Sequence, residues 1–386
     1  MHSINSLQQR VKRVSQLNPS LSQLPLFSAT LITHSHRPDT TARTEEQQAR
    51  RMSDHNFNDG NRAFLQAILA RGSITFEDAR PILAAIFNAD RGDDDEGDVV
   101  RPGQITEDHF QEYMDKAAEA ASLFDYEIRT TIHQTTKRRI YALVNTTSDP
   151  QTQLATTYSP DELSFIKRVF DAIFDKFNTP RMEVLAITEM QAIKCARPRQ
   201  QETEVDADAQ TQTPADKGLK HSEVEVVLAS LVEGGWFEKS AEGFYTFSPR
   251  ALLELRPWLV ETYNDPDLDP REWQRIKFCE ACKDIVTIGI RCPELECNFR
   301  LHDVCQEAFW RTRREQRCPK CSREWTGQKY TGERAVTSTD AFERGRRRGG
   351  GWPRSTLADD IIRQEGGVAD EAQDEDEEEE NIYDAD

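Results

Sequence analysis

The chain has 386 residues, of which 37% are hydrophobic and 30% are charged, and its formal net charge is -19. This length allows two or three compact domains, and a mean hydropathy of -0.73 predicts long solvated segments beside them. Because no apolar run approaches the ~20 residues that cross a bilayer, the sequence excludes an integral membrane protein.

The charge is unevenly distributed along the chain. Asp359 to Asp386 contains fourteen acidic residues and one basic residue, whereas Arg271 to Arg348 contains eighteen basic and twelve acidic residues. The acidity is therefore concentrated in a C-terminal segment, and the region that holds most of the cysteines is basic.

The N-terminal residues 1–55 are predicted to be a disordered extension. Up to Pro38 the chain is basic and Ser-rich and lacks Asp and Glu, which loosely resembles a mitochondrial transit peptide. We favour a simpler interpretation, in which Met52 is a natural start that leads directly into the first helix. Without a secretory signal, clustered cysteines indicate metal binding rather than disulfides.

Residues 56–150 are predicted to form a winged-helix domain. Asn61–Arg71 keeps apolar residues on one helical face, and Thr75 is placed to cap a second helix, although Pro81 limits where that helix begins. A third helix runs from Thr106 to about Phe124. Two alternating runs, YEIRTTIHQ and RRIYALVN, then predict a β-hairpin. Three helices followed by a hairpin are the order of a winged helix.

The same order recurs over residues 151–264, which predicts a second winged-helix domain. Ser159 begins a helix with Pro and Glu at favourable positions, and a second helix is expected over Glu183–Cys195. After a polar loop, Ser222 caps a third helix, WFEKSAEGFYTF forms a hairpin, and Pro249–Tyr263 adds a helix.

The charges of the two predicted third helices argue against direct DNA recognition. The charged side chains of both helices are mostly acidic, and DNA phosphates would repel them. The first hairpin offers the one basic patch, a weak candidate for nucleic-acid contact formed by Arg129, Lys137, Arg138 and Arg139. We therefore expect these domains to dock proteins.

Phe278 to Cys321 holds seven of the eight cysteines and one histidine, in the spacing C-x2-C-x9-C-x4-C-x4-H-x2-C-x12-C-x2-C. Each of these four pairs is short enough for both members to reach one ion. Four pairs predict two four-coordinate sites, and thiolates with one imidazole favour two structural zinc ions. The remaining cysteine, Cys195, lies in an apolar helical context and is interpreted as a buried side chain.

The ligand order is compatible with RING, plant-homeodomain and LIM modules. A plant-homeodomain finger carries Trp two residues before its seventh ligand, where this chain has Gln316. Cys318-Pro319-Lys320-Cys321 and the preceding Phe309-Trp310 are typical of RING domains. Residues 272–326 therefore resemble a RING variant. That resemblance implies a first zinc held by Cys279, Cys282, His302 and Cys305, and a second held by Cys292, Cys297, Cys318 and Cys321.

The whole pattern resembles one known family. Tandem winged helices, the run YALVNTTSDPQTQLATTYSPDEL from Tyr141 to Leu163 and the RING variant are similar to the RING-type non-SMC element 1 family of the SMC five-six chromosome complex. The resemblance implies a nuclear, chromosome-associated protein that acts in DNA repair by homologous recombination. It also implies three partners, namely a melanoma-antigen-homology subunit, a kleisin subunit and a ubiquitin-conjugating enzyme, with DNA reached through the complex.

RING ligases have no catalytic side chain, because they orient a ubiquitin-charged conjugating enzyme. The resemblance implies that Ile285, Trp310 and Pro319 line the groove for that enzyme. Ordinary RINGs carry an aliphatic residue between the first two cysteines and an Arg directly after the last, where this chain has Ala281 and Ser322. Weak or partner-dependent ligase activity is expected. The alternatives are a non-catalytic scaffold and a histone-tail reader, and the missing Trp argues against the reader.

Residues 327–386 are predicted to be a disordered tail, first basic in Glu343–Arg354 and then acidic in Asp374–Glu380. The basic stretch could be a nuclear-import signal, a nucleic-acid contact or a solvated linker. The predicted fold class is thus α+β and multidomain: tandem winged-helix domains, a two-zinc RING-like module and disordered termini.

Overall fold

The structure is a computed structural model that describes residues 57–90, 98–146, 154–155, 157–198, 217–269, 271–313, 315–347 and 354–367. The predicted N-terminal extension and the acidic run Asp374–Glu380 lie outside the described residues. Every helix within the described ranges is too short or too polar to cross a membrane.

The first domain places three helices on a small antiparallel sheet. Its elements are α1 (Asp59–Arg71), β1 (Ser73–Thr75), α2 (Phe76–Asp90), α3 (Glu107–Ser122), β2 (Tyr126–Ile132) and β3 (Arg139–Asn145), and the strand order is β1-β3-β2. The sequence pattern predicts the three helices and the hairpin but misses β1. This element order is the one expected of a winged helix.

Local sequence signals account for these boundaries. The Asn58 side chain accepts a hydrogen bond from the backbone N–H of Asn61 (2.8 Å) at the start of α1. Thr75 caps α2 by accepting from the N–H of Asp78 (3.2 Å). Pro81 lies inside α2 rather than at its beginning, so it does not set the start of that helix.

Aromatic side chains fill the core of the first domain. The rings of Phe64 and Tyr113 meet edge to face at 5.5 Å, and those of Phe110 and Tyr141 meet at 5.0 Å. These contacts fasten α1 and α3 to each other and to β3, because each ring buries a large apolar area.

The second domain repeats this plan with a longer helical part. Its elements are α4 (Pro160–Asp171), which continues as a π-helical turn (Ala172–Lys176), β4 (Ile187–Thr188), α5 (Glu189–Lys194), α6 (His221–Glu233), β5 (Phe237–Lys239), β6 (Phe244–Phe247), α7 (Pro249–Glu254) and α8 (Arg256–Tyr263). The strands pair antiparallel in the order β4-β6-β5.

Three predictions for the second domain need correction. The helix expected over Glu183–Cys195 is confined to α5, since the residues before it form a buried non-helical segment and then β4. Lys220, not Ser222, is the N-cap residue of α6. The helix expected over Pro249–Tyr263 breaks at Leu255 because Pro257, in the first turn of α8, cannot donate a backbone hydrogen bond into a continuous helix.

The cysteine-rich module contains β7 (Gly289–Arg291), β8 (Arg300–Leu301) and α9 (Asp303–Arg311), and the chain then returns as β9 (Tyr330–Thr331), α10 (Arg334–Thr337), α11 (Asp340–Arg347) and α12 (Arg354–Gly366). We call residues 330–367 the strap. β9 pairs with β7 in a sheet of order β8-β7-β9, so the strap begins as part of the module.

Over its described residues the strap is folded, whereas the sequence predicts a disordered tail there. Its apolar side chains belong to the same buried cluster as the second domain's helices: Val336, Phe342, Ala358, Ile361 and Ile362. Gly332 adopts φ +81°, and a Cβ there would lie 2.6 Å from the carbonyl oxygen of Thr287, so this position requires glycine. The prediction failed because abundant charged residues obscured a few well-spaced apolar ones.

Candidate metal centre

The cysteine-rich module has a small core of its own. Phe299 packs edge to face against Trp325 at 5.1 Å, and Trp310 lies 5.5 Å from Trp325. The strands β7 and β8 and the helix α9 are short. The aromatic cluster therefore buries little apolar area relative to the length of the module. Other interactions must therefore hold the module together.

The first predicted ligand group converges on one point. The ligand atoms of Cys279, Cys282, His302 and Cys305 all lie within 4.8 Å of one another. His302 Nδ1 is 3.3 Å from Cys282 Sγ and 3.9 Å from Cys305 Sγ. The other ring nitrogen, Nε2, is 3.1 Å from the carbonyl oxygen of Ile285, which fixes the ring with Nδ1 toward the thiols.

The second predicted group converges in the same way. The sulfurs of Cys292, Cys297, Cys318 and Cys321 also lie within 4.8 Å of one another. Cys292 and Cys321 are 3.4 Å apart, and Cys297 and Cys318 are 3.5 Å apart. A tetrahedral zinc with bonds of ~2.3 Å separates its sulfur ligands by roughly 3.8 Å, so both groups have the donor set and spacing that suit zinc. These two groups of four ligands confirm the predicted pair of zinc sites.

Neighbouring side chains within each group shift one another's pKa values. A hydrogen bond from Cys282 lowers the pKa of Cys279 to about 3, while the same contact raises the pKa of Cys282. Cys292 likewise lowers the pKa of Cys297 to about 5. Burial opposes a charge on His302, but hydrogen bonds with Cys279 and Cys305 raise its pKa to about 9. A cation bound at either group would displace the remaining protons, because the thiolate is the form of cysteine that ligates metal.

The two C-x2-C segments form matching turns. Cys279 accepts a hydrogen bond from the N–H of Lys283, and Cys318 accepts one from the N–H of Ser322, both at 2.8 Å. Lys283 (φ 66°) and Ser322 (φ 60°) both adopt the left-handed conformation that such a tight return requires. Both turns thereby present their two sulfurs to one side.

The matching turns lie next to each other on the surface. Glu280 Oε1 of the first turn is 2.5 Å from Lys320 Nζ of the second. Ala281, Pro319 and Lys320 are exposed there. We call the surface formed by Glu280, Ala281, Pro319 and Lys320 the turn face.

The structure separates the three residues that were predicted to line the groove for a conjugating enzyme. Pro319 lies on the turn face. Trp310 is only 7% exposed and packs inside the module. Ile285 is 4% exposed and belongs to the core cluster of the second domain, so its assignment to an open groove is wrong. The residue is covered because the module docks on the second domain, which sequence spacing does not reveal.

The four residues of the predicted basic patch differ in their surroundings. Arg129 Nη1 donates to the carbonyl oxygen of Leu253 (3.3 Å) in the second domain, and its Nε pairs with Glu127. Lys137, Arg138 and Arg139 are exposed. Arg138 and Arg139 line a cleft together with Glu107 and Asp108, whose negative charge would weaken phosphate binding. Nucleic-acid contact at this hairpin stays a prediction.

Sequence reasoning missed a buried ion cluster beneath the second ligand group. Glu183 of the second domain, 1% exposed, lies 2.7 Å through Oε2 from Arg300 Nε, and its Oε1 is 3.0 Å from Lys277 Nζ and 3.4 Å from Arg291 Nη1. Burial alone would raise the pKa of Glu183, but the three cations lower it well below its usual range. Arg300 also donates to the carbonyl oxygen of Cys297 (2.6 Å). No local sequence signal marks Glu183, because its partners lie far along the chain.

Comparison with known proteins adds to this geometry. Residues 61–255 match the family described as "Nse1 non-SMC component of SMC5-6 complex", and residues 279–321 match a "RING-like domain" family. A "Non-structural maintenance of chromosomes element 1 homolog" from Homo sapiens is 22% identical over 267 residues, which cover 69% of this chain and 84% of the relative. A "Non-structural maintenance of chromosomes element 1" from Schizosaccharomyces pombe is 26% identical over 184 residues, covering 47% and 64%.

A solved structure described as "Nse1-Nse3-Nse4 complex" contains a chain with a similar fold. The TM-score is 0.51 at 20% identity, and the match covers 70% of this chain and 97% of that one. The predicted multidomain α+β class is thereby confirmed, with a RING-like module after the helical domains.

Proposed function

Because this chain belongs to the Nse1 family of non-SMC components of the SMC5-6 complex, we propose that it is a RING-type ubiquitin-protein ligase subunit of such a complex. In this proposal it acts in the nucleus, on chromosomes, in DNA repair by homologous recombination. Its RING-like module holds two zinc ions, with Cys279, Cys282, His302 and Cys305 as ligands of the first and Cys292, Cys297, Cys318 and Cys321 as ligands of the second.

One observation carries the ligase proposal: the turn face is exposed, and each of its two turns supplies two cysteines to one of the ligand groups. Zinc would fix both C-x2-C turns, and the Glu280–Lys320 ion pair holds them side by side. A conjugating enzyme that docks there would be oriented without any catalytic side chain from this protein, since positioning alone can supply much of a rate enhancement. Ala281 and Pro319 are the apolar residues of this face, and Ala281 offers little contact area.

The residue that clamps ubiquitin in ordinary RINGs is displaced here. Ser322 occupies the position directly after the last cysteine, and the next residue, Arg323, pairs through Nε with Glu294 Oε2 at 3.0 Å. Arg323 is 69% exposed at its side chain, so it is free to exchange this pair for a contact with ubiquitin. This arrangement supports weak activity that a partner increases.

We assign partner docking to the two helical domains. The solved complex similar in fold is described as "Nse1-Nse3-Nse4 complex", and we propose that the counterparts of its Nse3 and Nse4 are the melanoma-antigen-homology and kleisin partners of this chain. Leu123 and Phe124, at the end of α3, are 82% and 73% exposed and offer an apolar contact for such a partner. DNA is then reached through the complex.

The ligase proposal is tested by ubiquitin-chain formation with purified ubiquitin-activating and conjugating enzymes, with and without the melanoma-antigen-homology partner. We expect weak chains that increase when the partner is added. Ala281→Ile adds apolar area to the turn face and should increase chain formation several-fold, whereas Pro319→Glu should abolish it. The matched control is Ala308→Ile, at an exposed position of α9. If no conjugating enzyme gives chains and Ala281→Ile changes nothing, the ligase proposal is lost.

A non-catalytic scaffold is the second candidate, and the burial of Ile285 favours it. In that case the module serves to brace the helical domains, and zinc only shapes a docking surface. Pro319→Glu would then leave assembly with the partner and repair unchanged, while Cys279→Ser would impair assembly.

A further inference from the structure

The tip of the first hairpin reaches the first ligand group. Between β2 and β3 the side chain of Gln134 is buried, although the residues that follow it in the turn are exposed. A buried amide in a polar hairpin turn is unusual, because burial costs free energy unless each polar atom finds a partner.

Every polar atom of the Gln134 side chain has a partner in the cysteine-rich module. Nε2 donates to the carbonyl oxygen of Ile285 (3.3 Å) and to Thr287 Oγ1 (3.1 Å). Oε1 accepts from the backbone N–H groups of Thr287 (3.1 Å) and Ile288 (2.8 Å). An amide has two donor hydrogens and two acceptor lone pairs, so this side chain is fully satisfied.

The carbonyl of Ile285 connects Gln134 to a ligand. The same oxygen lies 3.1 Å from Nε2 of His302, the ring nitrogen that faces away from the thiols. Gln134 and His302 thus occupy the two lone pairs of one carbonyl. A hydrogen bond to the outer nitrogen of a ligating histidine orients the ring and raises its basicity as a ligand.

Further contacts fix the same junction. Thr131 Oγ1 donates to Asp284 Oδ2 (3.2 Å), and Arg256 of the second domain donates to the carbonyl oxygen of Lys283 (2.8 Å). Thr131, Gln134, Arg256, Ile285 and His302 all line one small cavity where the two helical domains and the module meet. The loop from Lys283 to Ile288 is therefore held from outside the module.

We infer that Gln134 is a positioning residue for the first zinc site. Through the Ile285 carbonyl it holds His302 in the orientation that binds metal, so docking of the first hairpin and occupation of the first site favour each other. The coupling is reciprocal by thermodynamic necessity: a docked hairpin retains the metal, and a bound metal keeps the hairpin docked. This inference rests on the two zinc sites and not on ubiquitin transfer.

Cadmium-113 substitution of the full chain provides the test, because a site with three sulfurs and one nitrogen and a site with four sulfurs give separate resonances. Metal loss to excess EDTA is followed at both sites of the same molecule. In Gln134→Ala we expect cadmium to leave the first site about tenfold faster, while its loss from the second site is unchanged. Tenfold is the lower end of the effects seen when residues that hydrogen-bond to metal ligands are removed. Thr136→Ala, exposed in the same turn, should behave as the wild type.

A second variant covers the possibility that Gln134→Ala does not fold. Gln134→Glu keeps the acceptor for Thr287 and Ile288 but cannot donate to the Ile285 carbonyl, and it should also release cadmium faster from the first site. Equal acceleration at both sites, or at neither, would overturn the inference while leaving the zinc assignment intact. A wild-type chain that shows neither resonance would overturn both.

Discussion

The two ligand groups are alike in chemistry but are supported by different domains in different ways. The first group is reached by a neutral amide, Gln134, from the first domain. The second is reached by a carboxylate, Glu183, from the second domain, acting through Arg300 on the backbone of Cys297. The module therefore contacts both domains. A fully hydrogen-bonded amide makes the contact with the first domain, and buried charged side chains make the contact with the second.

This difference predicts how each contact responds to damage. Each hydrogen bond on the first domain's side contributes ~1 kcal/mol net, so the loss of any one of them is a local event. A buried ion cluster is costly to desolvate, and removal of one member leaves the others buried without compensation. The side of the module that faces the second domain should therefore be the more sensitive to single substitutions.

Loss of a ligand should have the largest effect, and it should be similar at both groups. In Cys279→Ser and in Cys297→Ser we expect the module to unfold, because each structural zinc supplies ~10 to 16 kcal/mol of apparent binding free energy that only the folded state realises. Amide hydrogen exchange should show lost protection over residues 279–321 and retained protection in α1 and α3. Cys195→Ser, outside both groups, is the control. A module that stays protected after either substitution would show that its aromatic core suffices.

Neutralising the ion cluster should have the next largest effect. Glu183→Gln leaves Arg291 and Arg300 without a counter-charge, and we expect it to lower the free energy of unfolding by ~3 to 5 kcal/mol. Glu189→Gln removes a half-buried carboxylate paired with Lys239 (3.3 Å) and should cost less than ~1 kcal/mol. Urea denaturation with zinc present measures both. Equal effects of the two variants would erase the proposed difference between the contacts.

The ion cluster should also give the protein a pH dependence. Burial lowers the pKa of Lys277 to about 7, whereas an unfolded lysine titrates at ~10.4. Between these values the unfolded state binds more protons, so the free energy of unfolding should rise with pH, by at most ~1.4 kcal/mol per unit. Lys277→Met should flatten the rise measured between pH 7.5 and 9.5, and the exposed Lys329→Met should not. An unchanged slope in Lys277→Met would assign the rise to another group.

The smallest effect is expected on the side of the first domain. Thr131→Val removes the hydrogen bond to Asp284 without changing the shape of the side chain, and we expect a loss of about 1 kcal/mol. Thr130→Val lies on the opposite face of the same strand and should be nearly neutral. Denaturant midpoints resolve such a difference, and a loss above that of Glu183→Gln would reverse the comparison.

The eight ligands could be predicted from the sequence because they lie within 44 residues at spacings that let both members of each pair reach one ion. The resemblance to RING variants implied which pairs share an ion. The helices of both domains could be predicted for a similar reason, since caps such as Thr75 and Ser159 act on backbone atoms three residues away. Interactions of this kind are encoded locally and leave a readable pattern.

The docking of the module could not be predicted, because its partners are distant in sequence. Gln134 and Ile285 are separated by 151 positions, and Glu183 and Arg300 by 117. Nothing local distinguishes Glu183 from an exposed helical glutamate, and Ile285 has the spacing of a groove residue until the second domain covers it. The burial of both follows from tertiary packing alone.

The return of the strap to the second domain sets the order in which this molecule can be completed on the ribosome. Side chains such as Phe342 and Ile362 belong to the second domain's core, yet they are translated after the whole zinc module. At ~5 to 20 residues per second, the roughly 100 residues after Tyr263 take about 5 to 20 s to synthesise. Throughout that interval the nascent second domain exposes the apolar surface that the strap will later cover, while all eight ligands emerge before the strap does. Metal loading can therefore precede closure of this core, and scarcity of zinc during synthesis would expose nascent chains to aggregation and proteolysis.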